Sequence, residues 1–487
     1  MRIKRILFGT SILGSVKMIT MISGLIQSMI LAHLLTVNDY ALYGQCNTLI
    51  ATVSGITVFG FADSIIYFCG INSDLEKKQK YLTAIFLFEI IFCVFSGILI
   101  LSLKNAIVLI FENEELGSFI FLLAFFPLFI NLSSCFSQLL FTENKVKCIA
   151  ACNLLFSLLS LTIAVLITTF TNNPILLYLI LMISLYILLT LFQVFCYLFG
   201  KKRFIKFARF DKTIVKEVLK YSVPLGITIV STTLLKEFDK IIISNQCTSL
   251  EFATYVAVSK QLPITFFSAA LGAQIIPLLV KSLNALDNEK TKRILHLYFL
   301  VGFVSSIILG FAVLCVSKQS LVFLYSEKYS DGIWVFIIYI FVDIFSFVYP
   351  GKILMVSGRT KELLLHSVIM LVFNIGLNVV LLKLIGIIGP ALATLIVQVG
   401  ALIVQTYRGM RINNFSIRSF IPWKHLMVCT LICVPSTIGF GVMSHYFGVN
   451  NIFDILIYGG LCCVLNTFAC GFYLVKSHAI SLKEELQ

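Results

Sequence analysis

Apolar residues follow one another along this chain in stretches of about 20 or more, and short polar segments separate them. A stretch of this length crosses the hydrocarbon core of a bilayer as a single α-helix. Because no long polar loop interrupts the pattern, it predicts an all-α integral membrane protein with about 14 transmembrane helices. The predicted spans are 6–35, 41–70, 81–103, 117–141, 147–170, 175–199, 221–245, 252–280, 294–316, 332–357, 362–385, 389–407, 425–446 and 452–475.

The longest polar connection, near residues 200–220, divides these spans into two sets of six and leaves a final pair. The sequence therefore predicts an N-terminal six-helix lobe at 1–205 and a second six-helix lobe at 206–412. An extra transmembrane helix pair and a short cytoplasmic tail follow at 413–487.

A weak internal repeat supports this division. The segment LAHLLTVNDYALY at 31–43 corresponds to ISNQCTSLEFATY at 243–255 without a gap. Threonine, alanine and tyrosine recur at the same places, and Asp39 is replaced by Glu251. Six helices separate the copies, so both have the same orientation. Parallel repeats of this kind predict two similar lobes with a site between them.

Composition and charge agree with a membrane protein. Hydrophobic residues make up 59% of the chain and charged residues 12%, against about 25% charged in soluble domains. With the N-terminus inside, 28 loop lysines and arginines lie on the inner side and four on the outer side. The positive-inside rule then predicts that both termini are cytoplasmic. The basic loops fit topology and contact with anionic membrane lipids, and nothing besides charge indicates nucleic acid.

Neither a metal site nor a cofactor is predicted. The 14 cysteines lie mostly in apolar stretches without a CxxC motif, and the six histidines are scattered. We interpret the cysteines as small apolar filling residues. The basic N-terminus is like that of a signal peptide, but no cleavage pattern follows, so we predict a retained first helix.

Charged side chains within the predicted spans are the strongest indication of a function. The stretch TTLLKEFDKIIISNQ carries Lys236, Glu237, Asp239 and Lys240, although each charge at a helix centre costs about 2.5–3.5 kcal/mol. Two interpretations stay open: a local ladder of i,i+3 ion pairs near the outer interface, or a polar stripe that faces the gap between lobes.

Two further lysines extend this pattern to other helices. Lys17 lies well inside the first span, unless the helix begins near Met18, and Lys260 lies in the eighth span, unless it is an interface residue. An excess of lysines suits an anionic substrate such as a phosphate or pyrophosphate. The acids Asp63, Glu89 and Asp343 are candidates either for a coupling proton or for structural roles.

Three segments carry a resemblance to a known family. They are ILAHLLTVNDYALYGQ at 30–45, EFDKIIISNQCTSLEFATYVAVSKQ at 237–261, and FNIGLNVVLLKLIGIIGPALATLIVQ at 373–398. Together with fourteen spans they resemble the polysaccharide flippases that move lipid-linked O-antigen or capsule units. These belong to the multidrug, oligosaccharidyl-lipid and polysaccharide exporter superfamily. The chain departs from the family where its first helix ends in His33-Leu34-Leu35-Thr36 rather than in an Arg-Leu-Leu-Gly type sequence.

The resemblance implies a non-enzymatic transporter that works by alternating access through a cationic central cavity. Its substrate would be an undecaprenyl-pyrophosphate-linked oligosaccharide, flipped from the cytoplasmic to the outer leaflet. Partners would include a polysaccharide polymerase and a chain-length regulator. By position, the pyrophosphate or acidic sugars would be contacted by Lys17, Lys236, Lys240 and Lys260. Asp239 would hold the lysines or take part in coupling.

Two other functions are alternatives to a polysaccharide flippase. An ion-coupled multidrug exporter of the same superfamily often carries cations, and an acidic pocket would then be expected. An integral-membrane polysaccharide polymerase or glycosyltransferase would need an active site, usually in a sizeable outer loop. The longest outer loops, near 104–116 and 317–331, leave little room for one.

Overall fold

The computed structural model describes residues 2–71, 74–170, 173–198, 211–285, 287–348, 351, 354, 357, 359–413, 421–447 and 452–477. Within these ranges the chain is helical and contains no β-strand. Two short 3₁₀ helices, Pro263–Thr265 and Glu327–Gly332, accompany the α-helices. The α-helices are α1 (Arg2–Leu34), α2 (Val37–Thr57), α3 (Phe61–Ile71), α4 (Leu75–Ser102), α5 (Lys104–Phe111), α6 (Glu114–Leu123), α7 (Phe126–Thr142), α8 (Val146–Phe170), α9 (Pro174–Leu198), α10 (Lys212–Gln246), α11 (Ser249–Val258), α12 (Phe266–Asn284), α13 (Asn288–Leu314), α14 (Ser317–Tyr325), α15 (Ile333–Phe345), α16 (Thr360–Ile385), α17 (Ile388–Ile412), α18 (Trp423–Phe447) and α19 (Ile452–Lys476).

The described residues form 10 helical spans that are long and apolar enough to cross a membrane. An eleventh is obtained if α6 and α7, which meet at an angle of 42°, count as one broken span. The all-α transmembrane class is thus confirmed, whereas the count of fourteen is not. The other three predicted spans are 6–35, 252–280 and 332–357. The helix over 252–280 is broken after Val258, and 332–357 lies only partly within the described ranges. In 6–35 the backbone is helical throughout to Leu34, but the side chains are described mainly from Met18 onwards.

The helices group into two compact units. The first contains Met1–Val256 and Ser367–Val379, and the second contains Ala257–His366 and Val380–Gln487. These units group helices by their contacts and not by repeat. The lobe boundaries 1–205, 206–412 and 413–487 therefore stay a prediction.

In the first unit, α10 packs along α2 at very short range. The chain turns between α2 and α3 through Phe59 and Gly60, whose φ angles are +36° and +74°. Gly226 of α10 lies against this turn, and a Cβ atom there would be 2.7 Å from the Phe59 carbonyl oxygen. Only glycine lets the two backbones approach so closely. Elsewhere in this unit, α1 packs on α8, and α7 packs on α3, α4 and α9.

The two copies of the repeat adopt the same local structure. The Thr36 hydroxyl donates to the Asp39 carboxylate at 2.6 Å and accepts from the Asp39 amide at 3.2 Å. In the second copy the Thr248 hydroxyl donates to the Glu251 carboxylate at 2.9 Å and accepts from the Glu251 amide at 3.3 Å. This reciprocal pattern caps the first turn of α2 and of α11. The sequence similarity therefore corresponds to a shared way of starting a helix.

In the second unit, α13 is the central helix and packs against α12, α15, α18 and α19. Helix α11 ends before the 3₁₀ turn that begins at Pro263, because proline cannot donate the next backbone hydrogen bond. Asp343 of α15 holds this break: its carboxylate accepts a hydrogen bond of 2.8 Å from the Leu262 amide.

Candidate functional site

Four charged side chains occupy a little more than one turn near the C-terminal end of α10, within an otherwise apolar span. Glu237 and Lys240 form an ion pair with an Nζ–Oε2 distance of 2.8 Å, and only 15% and 21% of their side chains are exposed. The helix period places residues three apart on the same face, so this pair follows from the sequence spacing. The ladder interpretation is thus correct for Glu237 and Lys240, whose charges compensate each other.

Asp239 is held by a contact that sequence spacing did not indicate. Its carboxylate accepts a hydrogen bond of 2.7 Å from the Tyr255 hydroxyl of α11. Both residues are buried, with 1% of Asp239 and 0% of Tyr255 exposed. The turn between α10 and α11 brings the two side chains together across 16 residues of sequence. Asp239 therefore fixes the α10–α11 hairpin, and Tyr255 is a residue of this site that sequence reasoning missed.

Lys236 differs from its charged neighbours because it is exposed. It lies one residue before the Glu237–Lys240 pair and one turn before Asp239. The arrangement leaves Lys236 as the accessible positive charge of this stretch, on a helix otherwise rich in apolar residues. An accessible ammonium group is suited to contact a phosphate or a carboxylate as a point charge.

Two of the predicted lysines, Lys17 and Lys260, belong to other elements than Lys236. The backbone of Lys17 belongs to α1, but its side chain lies outside the described residues. Lys260 is half-buried in the turn after α11 and belongs to the second compact unit. A shared cavity for Lys17, Lys236, Lys240 and Lys260 thus stays a prediction.

The three lone acids occupy different environments. Asp63 of α3 is exposed. Glu89 of α4 is fully buried, and its carboxyl oxygens accept from the thiols of Cys93 at 3.5 Å and Cys135 at 3.9 Å. Asp343 is buried and binds the Leu262 amide. Among the described residues, no group of three or more His, Cys, Asp or Glu side chains is arranged to hold a metal ion.

An asparagine pair on α16 is a second feature that the sequence analysis did not use as a site. The Asn378 amide donates to the Asn374 side-chain oxygen at 3.0 Å, and both residues are fully buried. Within the described part of the chain, Asn374 Nδ2 and Asn378 Oδ1 have no hydrogen-bond partner. The i,i+4 spacing in FNIGLN is the signal that could have indicated this polar face.

Replacing Tyr255 with phenylalanine tests the role of Asp239. The change removes one hydrogen bond to a buried carboxylate and leaves the ring packing unchanged. We expect a loss of stability of about 1.5–3 kcal/mol, the range for a hydrogen bond to a charged group. Thermal unfolding of purified Tyr255→Phe protein in detergent measures this. Tyr446→Phe, at a highly exposed position, serves as the control and should not alter the transition. An unchanged transition in both variants would show that the hydroxyl contributes nothing.

The fold and this charged helix define a multi-pass membrane protein with ionisable groups inside its spans. The chain belongs to the family described as "Polysaccharide biosynthesis protein", whose profile matches residues 6–283, more than half of the chain. No match was found among curated protein sequences.

Three solved structures show the fold to which the chain is similar. The lipid II flippase MurJ in an inward closed conformation has a TM-score of 0.73 and 17% identity, covering 96% of this chain and 100% of that chain. An inward-facing multidrug resistance MATE family transporter of the MOP superfamily has a TM-score of 0.62 and 15% identity, covering 81% and 94%. A MOP superfamily transporter from Pyrococcus furiosus has a TM-score of 0.58 and 14% identity, covering 83% and 95%. The family model thus shows the family of the chain, and these structures show its fold.

Proposed function

We propose that this protein is a flippase for lipid-linked oligosaccharides. It translocates undecaprenyl-pyrophosphate-linked repeat units from the cytoplasmic to the outer leaflet, for O-antigen or capsule synthesis. The observation that carries the proposal is the exposed Lys236 within the apolar helix α10, in a chain of the polysaccharide biosynthesis family. The similar structures, a flippase and transporters, favour a carrier rather than an enzyme.

The chemistry of the substrate explains why such a protein needs a charged helix. A pyrophosphate and its sugars cannot cross hydrocarbon without their water shell, whereas the polyprenyl tail can remain in lipid. Lysines inside the protein replace part of that shell during alternating access. Lys236 is the first contact in this scheme, and Lys17, Lys240 and Lys260 are further proposed contacts. Asp239, Asp63, Asp343 and Glu89 are proposed as coupling or structural acids.

The cellular setting follows from the same proposal. The protein resides in the bacterial inner membrane with both termini in the cytoplasm, where lipid-linked repeat units are assembled. A polysaccharide polymerase and a chain-length regulator would act on the flipped product. An ion-coupled multidrug exporter is the alternative, and it would carry cations instead of a lipid-linked anion.

Reconstitution separates these two functions. Purified protein is placed in proteoliposomes that contain undecaprenyl-pyrophosphate-linked oligosaccharides, and a membrane-impermeant lectin reports sugars that reach the opposite leaflet. We expect protein-dependent exposure of the sugars and no efflux of cationic dyes. Dye efflux without sugar exposure would contradict the flippase proposal and favour the exporter. Because the glycan is unidentified, the assay uses a panel of lipid-linked oligosaccharides with and without acidic sugars.

A further inference from the structure

A buried polar cluster in the first compact unit lies where α2, α4 and α7 pack together, and it centres on Glu89. Glu89 is 0% exposed. None of the ion pairs within 4.0 Å among the described residues involves its carboxyl group. Its carboxyl oxygens accept from the Cys93 thiol at 3.5 Å and from the Cys135 thiol at 3.9 Å, and the Asn131 side-chain amide also interacts with the carboxyl group. Thiols are weak donors, so they stabilise a negative charge poorly.

Even these donors are shared with other acceptors. The Cys93 thiol also lies 3.6 Å from the Pro127 carbonyl oxygen, and it carries a single proton. Asn131 donates to the Cys93 sulfur at 3.7 Å, but the same amide group is within 2.8 Å of the Thr57 hydroxyl. An ionised carboxylate in this setting would be buried without a counter-charge, and its one amide neighbour, Asn131, is already engaged with the Thr57 hydroxyl. A buried charge without an opposite charge is among the costliest arrangements in a protein. A neutral carboxyl group is the form that these surroundings accommodate.

The charges on neighbouring helices do not alter this conclusion. On α3 the nearby acid is Asp63, which is exposed and would repel rather than stabilise a second negative charge. Helix α10 meets α4 near Tyr81, where Glu217 accepts the tyrosine hydroxyl about two turns before Glu89. The C-terminal end of α6 approaches α4 near Gly97 of α4, which lies about two turns beyond Glu89. The titratable groups in contact with Glu89 are thus Cys93 and Cys135.

The cluster is connected to the turn between α2 and α3. Asn131 of α7 donates to the Thr57 hydroxyl at 2.8 Å and to the Ser54 carbonyl oxygen at 3.2 Å, both in the last turn of α2. Directly after this turn, Phe59 and Gly60 adopt left-handed backbone angles and contact Gly226 of α10. Glu89 therefore lies next to the amide that holds the end of α2 in place.

We propose that Glu89 is a proton-binding site that holds one proton in this conformation, and that its occupancy stabilises the turn at residues 58–60. Loss of the proton would place a charge beside Asn131 and Cys93. The helices would then have to separate to admit water or a cation. Such a site links the proton concentration to the conformation of α2 and α3, the two helices that meet at this turn and pack on α10.

Infrared spectroscopy of the purified protein in lipid nanodiscs tests the site directly. Wild type at neutral pH should show a protonated-carboxyl C=O band that Glu89→Gln lacks, because glutamine keeps the shape and cannot ionise. Raising the pH should remove this band from wild type. Glu362→Gln is the matched control: Glu362 is paired with Arg408 at 2.9 Å, and its replacement should leave the band unchanged. A wild-type minus Glu89→Gln spectrum without the band at neutral pH would overturn the proposal.

Thermal unfolding against pH is the second measurement. If the folded protein holds a proton that an unfolded glutamic acid, with a pKa of about 4.3, has released, stability must fall as the pH rises. The melting temperature of wild type should therefore decrease from pH 6 to pH 9, and that of Glu89→Gln should decrease less. Equal slopes in the two proteins would contradict the site. Neither measurement depends on transport, so a failure of the flippase proposal would leave this test unaffected.

Discussion

Replacing Lys236 with alanine is expected to reduce lipid-linked oligosaccharide flipping by about 10- to 150-fold. The factor corresponds to one charge-assisted contact worth about 1.5–3 kcal/mol. Lys236 is the exposed cation of the α10 stretch, so its loss removes the charge that is available to a pyrophosphate. Lys236→Arg keeps the charge and should retain part of the activity, since arginine contacts a phosphate with a different geometry. Initial flipping rates in proteoliposomes with equal protein content measure both variants.

The control for this experiment is Lys318→Ala, which removes an exposed lysine from α14. It lowers the net charge by the same amount but lies outside the proposed site, so its flipping rate should stay at the wild-type level. Wild-type activity in Lys236→Ala would contradict a role of Lys236 in substrate contact. The proposed flippase function would then have no located contact site.

Breaking the Glu237–Lys240 pair is expected to have the largest effect on stability. Lys240→Met leaves the Glu237 carboxylate without its partner on an apolar helix. Only 15% of the Glu237 side chain is exposed. Removing one member of a fully buried pair costs about 3–5 kcal/mol, and the residual exposure of these side chains places this change near the lower end. The double variant Glu237→Leu/Lys240→Met should recover most of the loss, because apolar residues of similar volume often replace such pairs at little cost. Thermal unfolding in detergent measures all three proteins.

A surface pair provides the comparison. Lys80 and Glu76 form an i,i+4 pair at 3.0 Å, but 73% of the Glu76 side chain is exposed. Lys80→Met should change stability by no more than about 1 kcal/mol. If Lys240→Met is as stable as Lys80→Met, the α10 pair makes no structural contribution and Lys240 would have to be assigned another role. If the double variant is stable but does not flip substrate, Lys240 also contacts the substrate.

The alternative of an ion-coupled exporter can be weighed on the same residues. The acids of the α10 stretch are both engaged, Glu237 with Lys240 and Asp239 with Tyr255, while the lysine Lys236 is exposed. A pocket for cationic drugs would require the opposite: exposed acids and engaged lysines. The charge arrangement on α10 therefore favours an anionic ligand.

The sequence by itself determined the features that depend on composition and short spacing. Stretches of apolar residues predicted an all-α transmembrane protein, because hydrocarbon requires every backbone hydrogen bond to be satisfied within a helix. The i,i+3 spacing predicted the Glu237–Lys240 pair, because three residues nearly complete one helical turn. The repeat at an offset of 212 residues predicted two similar lobes. The structure shows that its two copies begin a helix in the same way, because capping requires only four consecutive residues.

Only the tertiary structure decided the contacts between residues that are distant in sequence. Tyr255 as the partner of Asp239 depends on how the chain turns after α10, and Cys135 as a neighbour of Glu89 depends on how α7 packs on α4. The interruptions within apolar stretches were also visible only at this level, namely the bend between α6 and α7 and the break after α11. Hydropathy reports how much a segment prefers lipid to water. It carries no information on which neighbouring helix provides the partner of a buried polar group. The partners of Asp239 on α10 and of Glu89 on α4 therefore became known only from the packing of the helices.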